Sequence, residues 1–219
     1  MTDVYAEAGM RFVFACAIQW PGWCRKGRGE EAALAELAAC APRYAPVAEL
    51  SGVPFDADGA AAAFVVTERV PGTATTDFGA LDTAPELDTA PVSAGQLGRL
   101  TALVAAAWQV FEQTAADAPA TLRKGPRGGG RDRNAIVAHV RETEVLHARM
   151  LGLKERPFPP ADPAAAAAVR DRILAAITAG AGREPAAAAG RSGRPALFVA
   201  RRTAWHALDH AWEIGDKLP

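Results

Sequence analysis

Cysteine and histidine are scarce in this chain of 219 residues, which contains three cysteines and four histidines. The cysteines Cys16, Cys24 and Cys40 form no CxxC pair, so a structural zinc finger is not expected. Their odd number also argues against a disulfide scaffold. We therefore expect free, buried thiols in a reducing cytosol.

An excess of charge of one sign is lacking as well, because 24 basic and 25 acidic side chains leave a formal net charge of -1. No overall field attracts such a chain to nucleic acid or to a membrane surface. The N-terminus has no basic-then-apolar signal pattern, and the apolar stretch 12–20 is too short to span a bilayer. We expect a cytoplasmic protein that acts on a small molecule and binds neither nucleic acid nor membranes.

Apolar residues make up 50% of the chain and charged residues 22%, which is typical of a soluble globular protein with a real core. The first part, residues 1–72, is predicted to be a small β-α-β module. Its strands are expected over 11–18 and 61–70, on either side of a helix over 30–41. The acidic, proline-containing segment 73–94 has the sequence LDTAP twice and is predicted to be a linker.

From residue 95 onwards, apolar residues recur at spacings of three and four and predict long helices. Asp132 is a candidate N-cap for the second helix, and Asp162 followed by Pro163 starts the third. The expected ranges are 96–116, 133–151, 163–180 and, beginning near 193–195, a last helix to 217. Four such helices favour a four-helix bundle over 95–219, so the fold class is α+β.

Two histidines lie four residues apart in TAWHALDHAWE, residues 203–213. On a helix, this spacing places His206 and His210 about 40° apart on one face, so both can bind the same ion. A metal needs a further ligand, and His139 is the better candidate because it shares a helical face with apolar residues. His147 is predicted to be a surface or rim histidine. The alternative is that all four are ordinary packed or exposed histidines, and the zincin motif is absent because alanine follows His206.

Two segments carry a resemblance to a known family: RDRNAIVAHVRETEVLHARMLG at 131–152 and ARRTAWHALDHAWEIGDK at 200–217. Together they resemble the DinB/YfiT-like superfamily, particularly its actinobacterial members, over about residues 95–217. The resemblance implies an up-down-down-up four-helix bundle. It also implies a zinc or nickel ion bound by His139, His206 and His210.

Members of that superfamily with known chemistry mostly couple the metal to a low-molecular-weight thiol. They include mycothiol- and bacillithiol-dependent S-transferases and a mycothiol-dependent maleylpyruvate isomerase. The resemblance therefore implies a metal-dependent transferase or isomerase that activates a thiol or water. The alternative is a non-catalytic metal- or ligand-binding bundle.

Four further residues are assigned roles around this site. Asp209 and Glu213 are predicted catalytic residues that orient the ligand histidines by accepting hydrogen bonds, the alternative being solvated helix carboxylates. Arg127 and Arg131 belong to the basic, glycine-rich segment 122–133. They are predicted to bind an anion, such as the carboxylate of a thiol cofactor or a substrate phosphate. The alternative for that segment is a flexible turn.

The N-terminal strand, the WPGW turn and the following helix weakly resemble the small HicB-like module of antitoxin proteins. A two-stranded sheet is only marginally stable alone. We therefore expect this module to pack on the bundle or to pair with another subunit, so that it covers the pocket or forms a homodimer. RNA binding is a more distant alternative.

Overall fold

The structure is a computed structural model and describes residues 1–125, 130–181, 183 and 193–218. Over these residues the protein is mixed α/β, with helices and one four-stranded mixed sheet. The strands are β1 (Thr2–Ala8), β2 (Val13–Ala17), β3 (Cys24–Gly27) and β4 (Phe64–Pro71). The shorter helices are α1 (Glu30–Ala39), α2 (Ala41–Ser51), α3 (Ala57–Ala61), α4 (Ala74–Phe78) and a 3-10 helix (Glu86–Thr89). The longer helices are α5 (Ala94–Asp117), α6 (Arg133–Met150), α7 (Pro163–Gly180) and α8 (Ala196–Asp216).

The sheet has the strand order β3-β2-β1-β4. β1 pairs antiparallel with β2 and parallel with β4, and β2 pairs antiparallel with β3. Strands β2 and β4 correspond to the two predicted strands, whereas β1 and β3 were not predicted. β1 contains acidic residues and β3 has the sequence CRKG, so neither shows the apolar alternation by which a strand is recognised.

α2 follows α1 immediately, although its sequence contains two prolines. Pro42 lies in the first turn of α2, where a missing N–H is tolerated, and Pro46 lies inside the same helix. Gly52 ends α2 in the left-handed conformation, with a φ of 69°.

The expectation of free thiols is wrong for two of the three cysteines. Cys16 and Cys24 are directly opposite each other on the antiparallel strands β2 and β3 and form a disulfide. Cys40 is a buried thiol outside this disulfide.

Residues 73–94, predicted to be a linker, contain α4 and the 3-10 helix and pack against the rest of the chain. Leu81 and Asp88 are buried, and the Asp88 carboxylate accepts a 2.8 Å hydrogen bond from Nε of Arg201 on α8. On the sheet side, the buried carboxylate of Glu7 accepts hydrogen bonds from Thr76 and from the backbone N–H of Asp82. This segment is therefore fixed to both the sheet and α8.

The four longer helices lie close to their predicted ranges. Asp162 caps α7 as predicted, and its carboxylate accepts from the backbone N–H groups of Ala164 and Ala165. Asp132 occupies the N-cap position of α6, but its carboxylate accepts from the backbone N–H of Leu122 instead. Asp132 is therefore the N-cap residue as predicted, although its side chain makes no capping hydrogen bond.

α8 is central, because it contacts α5, α6 and α7. One hydrophobic cluster joins Trp23 and Tyr44 of the N-terminal part to Phe111, Ile136 and Leu208 of the longer helices. In the described part of the chain, every helix is either too short or too polar to cross a bilayer.

Candidate metal centre

Three histidines converge from two helices. His139 lies on α6, and His206 and His210 lie one turn apart on α8. One ring nitrogen from each comes within 4.8 Å of the others, so the three side chains lie close enough to bind one metal ion. The Nε2 atoms of His139 and His206 are 3.3 Å apart.

This separation fits the geometry of a tetrahedral ion. Zinc–nitrogen bonds of about 2.0–2.1 Å at tetrahedral angles place two ligand atoms about 3.3–3.4 Å apart. The observed distance between the His139 and His206 Nε2 atoms is 3.3 Å. An imidazole donor set of this kind suits zinc and nickel.

Glu213 is hydrogen-bonded to one of the candidate ligands. Its Oε2 atom lies 2.7 Å from Nδ1 of His210, and Oε1 accepts a 2.9 Å hydrogen bond from Nζ of Lys217. Arg131 donates a 2.9 Å hydrogen bond to the same carboxylate. A proton on Nδ1 of His210 therefore points at the carboxylate, which leaves the Nε2 lone pair for a metal.

The electrostatics keep these groups in the protonation states that a metal site needs. Burial lowers the pKa of His139 to about 4, with His210 and Arg131 adding to the effect. Burial also holds the pKa of His206 well below its usual value. Burial alone would raise the pKa of Glu213, but hydrogen bonds from His210 and Lys217 lower it to about 2. Neutral imidazoles at His139 and His206 beside the ionised carboxylate of Glu213 are the result.

His147 is not a surface or rim histidine, contrary to the prediction. Its side chain is 1% exposed and its Nδ1 lies 3.1 Å from Oγ1 of Thr203 on α8. Burial lowers the pKa of His147 to about 3. Residue polarity does not mark the buried face of this helix, since the nearby Glu144 is buried and paired with Arg170, whereas Leu146 is exposed.

The histidines line a cavity of about 830 Å³, and residues of the sheet form part of its wall. Strand β3 contributes Cys24, Arg25 and Lys26, and residues 78–80 after α4 form another part of the wall. Phe14 and Trp205 form an aromatic patch in the wall, with ring centroids 5.6 Å apart in an edge-to-face arrangement. The cavity is thus built by the sheet and the longer helices together.

The predicted residues around the histidines differ in their surroundings. Asp209 lines the cavity, and its carboxylate lies 3.2 Å from Nη1 of Arg25. Arg131 also lines the cavity and is paired with Glu213. Arg127, the other residue predicted to bind an anion, lies outside the described residues.

Sequence reasoning missed the cavity residues Arg25, Lys26 and Arg202. Arg25 and Lys26 lie outside both strands predicted for the N-terminal module, so no local pattern placed them at a site. Arg202 lies four residues before His206 on α8, the helix that also carries His210. Its spacing was therefore a usable signal, because residues four apart share a helical face.

No protein-family model matches the chain, and neither a curated protein nor a solved structure shows a significant match to it.

Proposed function

We propose that this protein is a metal-dependent enzyme of the DinB-like type. It binds zinc or nickel through His139, His206 and His210 and transfers or isomerises a small molecule with the help of a low-molecular-weight thiol or water. In this proposal the four longer helices form the up-down-down-up bundle that the sequence resemblance implies, with the N-terminal α/β part as an added module. The observation that carries the proposal is the convergence of three histidines on the wall of a large cavity.

The cavity setting favours an enzyme over a buried structural metal. Structural zinc sites are usually closed by four protein ligands, whereas catalytic sites keep a position for water or substrate. Among the described residues, the His/Cys/Asp/Glu group that could hold a metal contains three histidines. A divalent ion held by three neutral imidazoles keeps its full charge and lowers the pKa of a bound thiol or water.

The protein's own groups would position the ligands and balance charge. Glu213 fixes the ring of His210 and, through Lys217 and Arg131, is itself held in place. A carboxylate so placed raises the basicity of the imidazole that it contacts. The aromatic patch of Phe14 and Trp205 supplies apolar wall against which the carbon skeleton of a substrate can pack.

Metal analysis of the purified protein tests whether it binds a metal, which both the enzyme and the metal-binding alternative require. We expect about one equivalent of zinc or nickel per wild-type chain, a strong reduction in His206→Ala, and retention in His147→Gln, which changes the histidine outside the triad. Circular dichroism of each variant checks that it is folded. Equal metal content in wild type and His206→Ala would overturn the proposal.

Assays of thiol transfer then separate an enzyme from a binding protein. Mycothiol, bacillithiol and glutathione are offered with an electrophilic acceptor to metal-loaded wild type and to His206→Ala. A rate that requires both the metal and His206 supports the enzyme. Equal rates in both proteins with every thiol would favour a non-catalytic metal-binding protein.

A further inference from the structure

The charged side chains on the cavity wall do not balance one another. The described lining residues include four basic side chains, Arg25, Lys26, Arg131 and Arg202, and two carboxylates, those of Asp209 and Glu213. Both carboxylates are already paired, Asp209 with Arg25 and Glu213 with Arg131. The wall therefore carries a net positive charge wherever its histidines are neutral.

Arg202 is a basic residue of the wall whose hydrogen-bonding capacity is not fully used in the described structure. Its side chain is 14% exposed, and its Nη1 has no hydrogen-bond acceptor among the described residues. The carboxylate of Asp82 lies 3.6 Å from Nη1 and forms an ion pair with Arg202, but this distance is too long for a hydrogen bond. A guanidinium has five N–H donors, and leaving buried donors without acceptors is costly.

The two carboxylates near Arg202 are held by other groups. The carboxylate of Asp82 accepts a 2.8 Å hydrogen bond from Thr73 and lies 3.4 Å from Nη2 of Arg194. Glu7, whose charge also acts on Arg202, accepts its hydrogen bonds from Thr76 and from backbone N–H groups. Neither carboxylate gives the Arg202 guanidinium the bidentate pair that it is shaped to form.

Helix geometry places Arg202 close to His206. It precedes His206 by four residues on α8, so the two side chains lie on one face, about 6 Å apart along the axis. Both residues line the same cavity. A molecule that reaches the histidines can therefore place a second group at Arg202 only a few bonds away.

We propose that Arg202 binds an anionic group, a carboxylate or a phosphate, of the molecule that occupies this cavity. The inference rests on the proposed function only in that the bound molecule reacts at the histidine centre. Arg202 is then a residue that selects acidic ligands and fixes the distance between their charged group and their reacting atom.

A metal-free experiment tests the anion site directly. The protein, labelled with nitrogen-15 and stripped of metal, is titrated with acetate and separately with inorganic phosphate, and the Nε–Hε signal of Arg202 is followed by NMR. That signal is assigned by its absence in Arg202→Lys. We expect a saturating shift at Arg202 with at least one anion, and the anion that acts identifies the group as a carboxylate or a phosphate. Shifts at Arg202 no larger than those at the exposed Arg69 with both anions would overturn the proposal.

A second experiment uses the cobalt-loaded protein, in which thiolate binding changes the visible absorption. Mercaptopropionate and the uncharged mercaptopropanol are compared as ligands. We expect wild type to prefer the carboxylate thiol, and we expect Arg202→Gln to lose about tenfold of that preference, the size of one charge-assisted hydrogen bond. Arg202→Lys should restore part of it, and Arg69→Gln, an arginine-to-glutamine change at an exposed ion pair, should leave it unchanged.

The two experiments distinguish a failure of the Arg202 proposal from a failure of the proposed metal centre. An unchanged preference in Arg202→Gln, with cobalt bound, would overturn the role of Arg202 and leave the metal centre intact. Failure of the wild type to bind cobalt would overturn the metal centre, and the NMR titration would still decide whether Arg202 binds anions. Retention of the wild-type melting temperature in Arg202→Gln shows that its loss of preference is not caused by unfolding.

Discussion

The Nδ1 atom of His210 lies 2.7 Å from Oε2 of Glu213, less than one helical turn further along α8. This contact fixes which ring nitrogen of His210 remains available to a metal. Replacing Glu213 by glutamine keeps the size of the side chain and removes its charge. We expect Glu213→Gln to weaken zinc binding by about 10- to 100-fold.

Competition with a chromophoric chelator measures that affinity. Glu30→Gln is the matched control, since it makes the same change at a carboxylate that pairs with the exposed Arg69. Unchanged zinc affinity in Glu213→Gln would show that His210 needs no orientation by Glu213.

A buried ion pair connects the segment after β4 to α8. The Asp88 and Arg201 side chains are 0% and 9% exposed, and their charged atoms are 2.8 Å apart. Removing one partner leaves a buried charge, so we expect Asp88→Asn to lower the free energy of unfolding by about 3 kcal/mol.

Urea unfolding of Asp88→Asn, Arg201→Met and the double variant measures the coupling between the two residues. The double variant should lose less stability than the sum of the single losses, because it leaves no isolated charge. If the stability loss of the double variant equals the sum of the two single losses, Asp88 and Arg201 are not energetically coupled.

The turn between β2 and β3 approaches α8 closely at Gly22. This residue has a φ of 93°, and a Cβ atom there would lie 2.6 Å from Cδ1 of Leu208. We expect Gly22→Ala to lower the free energy of unfolding by about 1–3 kcal/mol through backbone strain and the clash.

Gly98→Ala is the matched control, because the same methyl group on α5 has no heavy atom within 4 Å. It should be stabilising by up to about 1 kcal/mol, since alanine favours a helix over glycine. Thermal unfolding measures the stability change in each variant. Equal stability changes in Gly22→Ala and Gly98→Ala would contradict the prediction.

The carboxylate of Asp77 anchors α4 to the turn between β1 and β2. It accepts hydrogen bonds from the backbone N–H groups of Met10, Arg11 and Phe12. These bonds, that from Arg11 foremost, lower the pKa of Asp77 below its usual value of 3.8. A carboxylate with a lowered pKa in the folded state stabilises the fold above its unfolded pKa, and this contribution is lost as the pH falls through the folded pKa.

We therefore expect Asp77→Asn to be less stable than wild type at pH 7 and the difference to shrink below about pH 3.8. Midpoints of urea unfolding at several pH values measure this stability difference. Asp58→Asn, a change at an exposed aspartate, is the control and should show the same stability as wild type at each pH. A difference that stays constant down to acidic pH would mean that the charge of Asp77 does not matter.

The helical half of the fold was predictable because its signals are local. Apolar spacing and the Asp162 cap place α7, and similar periodicity places the other long helices near their observed ranges. The proximity of His139 to His206 and His210 also follows from helix periodicity combined with the expectation that these helices pack together. The buried state of His147 does not follow, because it depends on Thr203 of another helix.

The sheet was less predictable because its strands carry residues that serve long-range contacts. Glu7 in the central strand β1 is buried by partners from residues 76–83, far along the chain. Arg25 and Lys26 make β3 look like a polar turn, although they face the cavity. No local pattern indicates such pairings, since each partner lies in a distant part of the sequence.

The division of the cavity wall between two parts of the chain has a consequence for how the protein can change. The three histidines lie on α6 and α8, whereas β3 and residues 78–80 form much of the remaining wall. Substitutions in the sheet can therefore alter which molecules enter while the spacing of the histidines stays the same. In the proposed enzyme, the sheet side of the wall can therefore change in evolution, or by design, without altering the histidine centre.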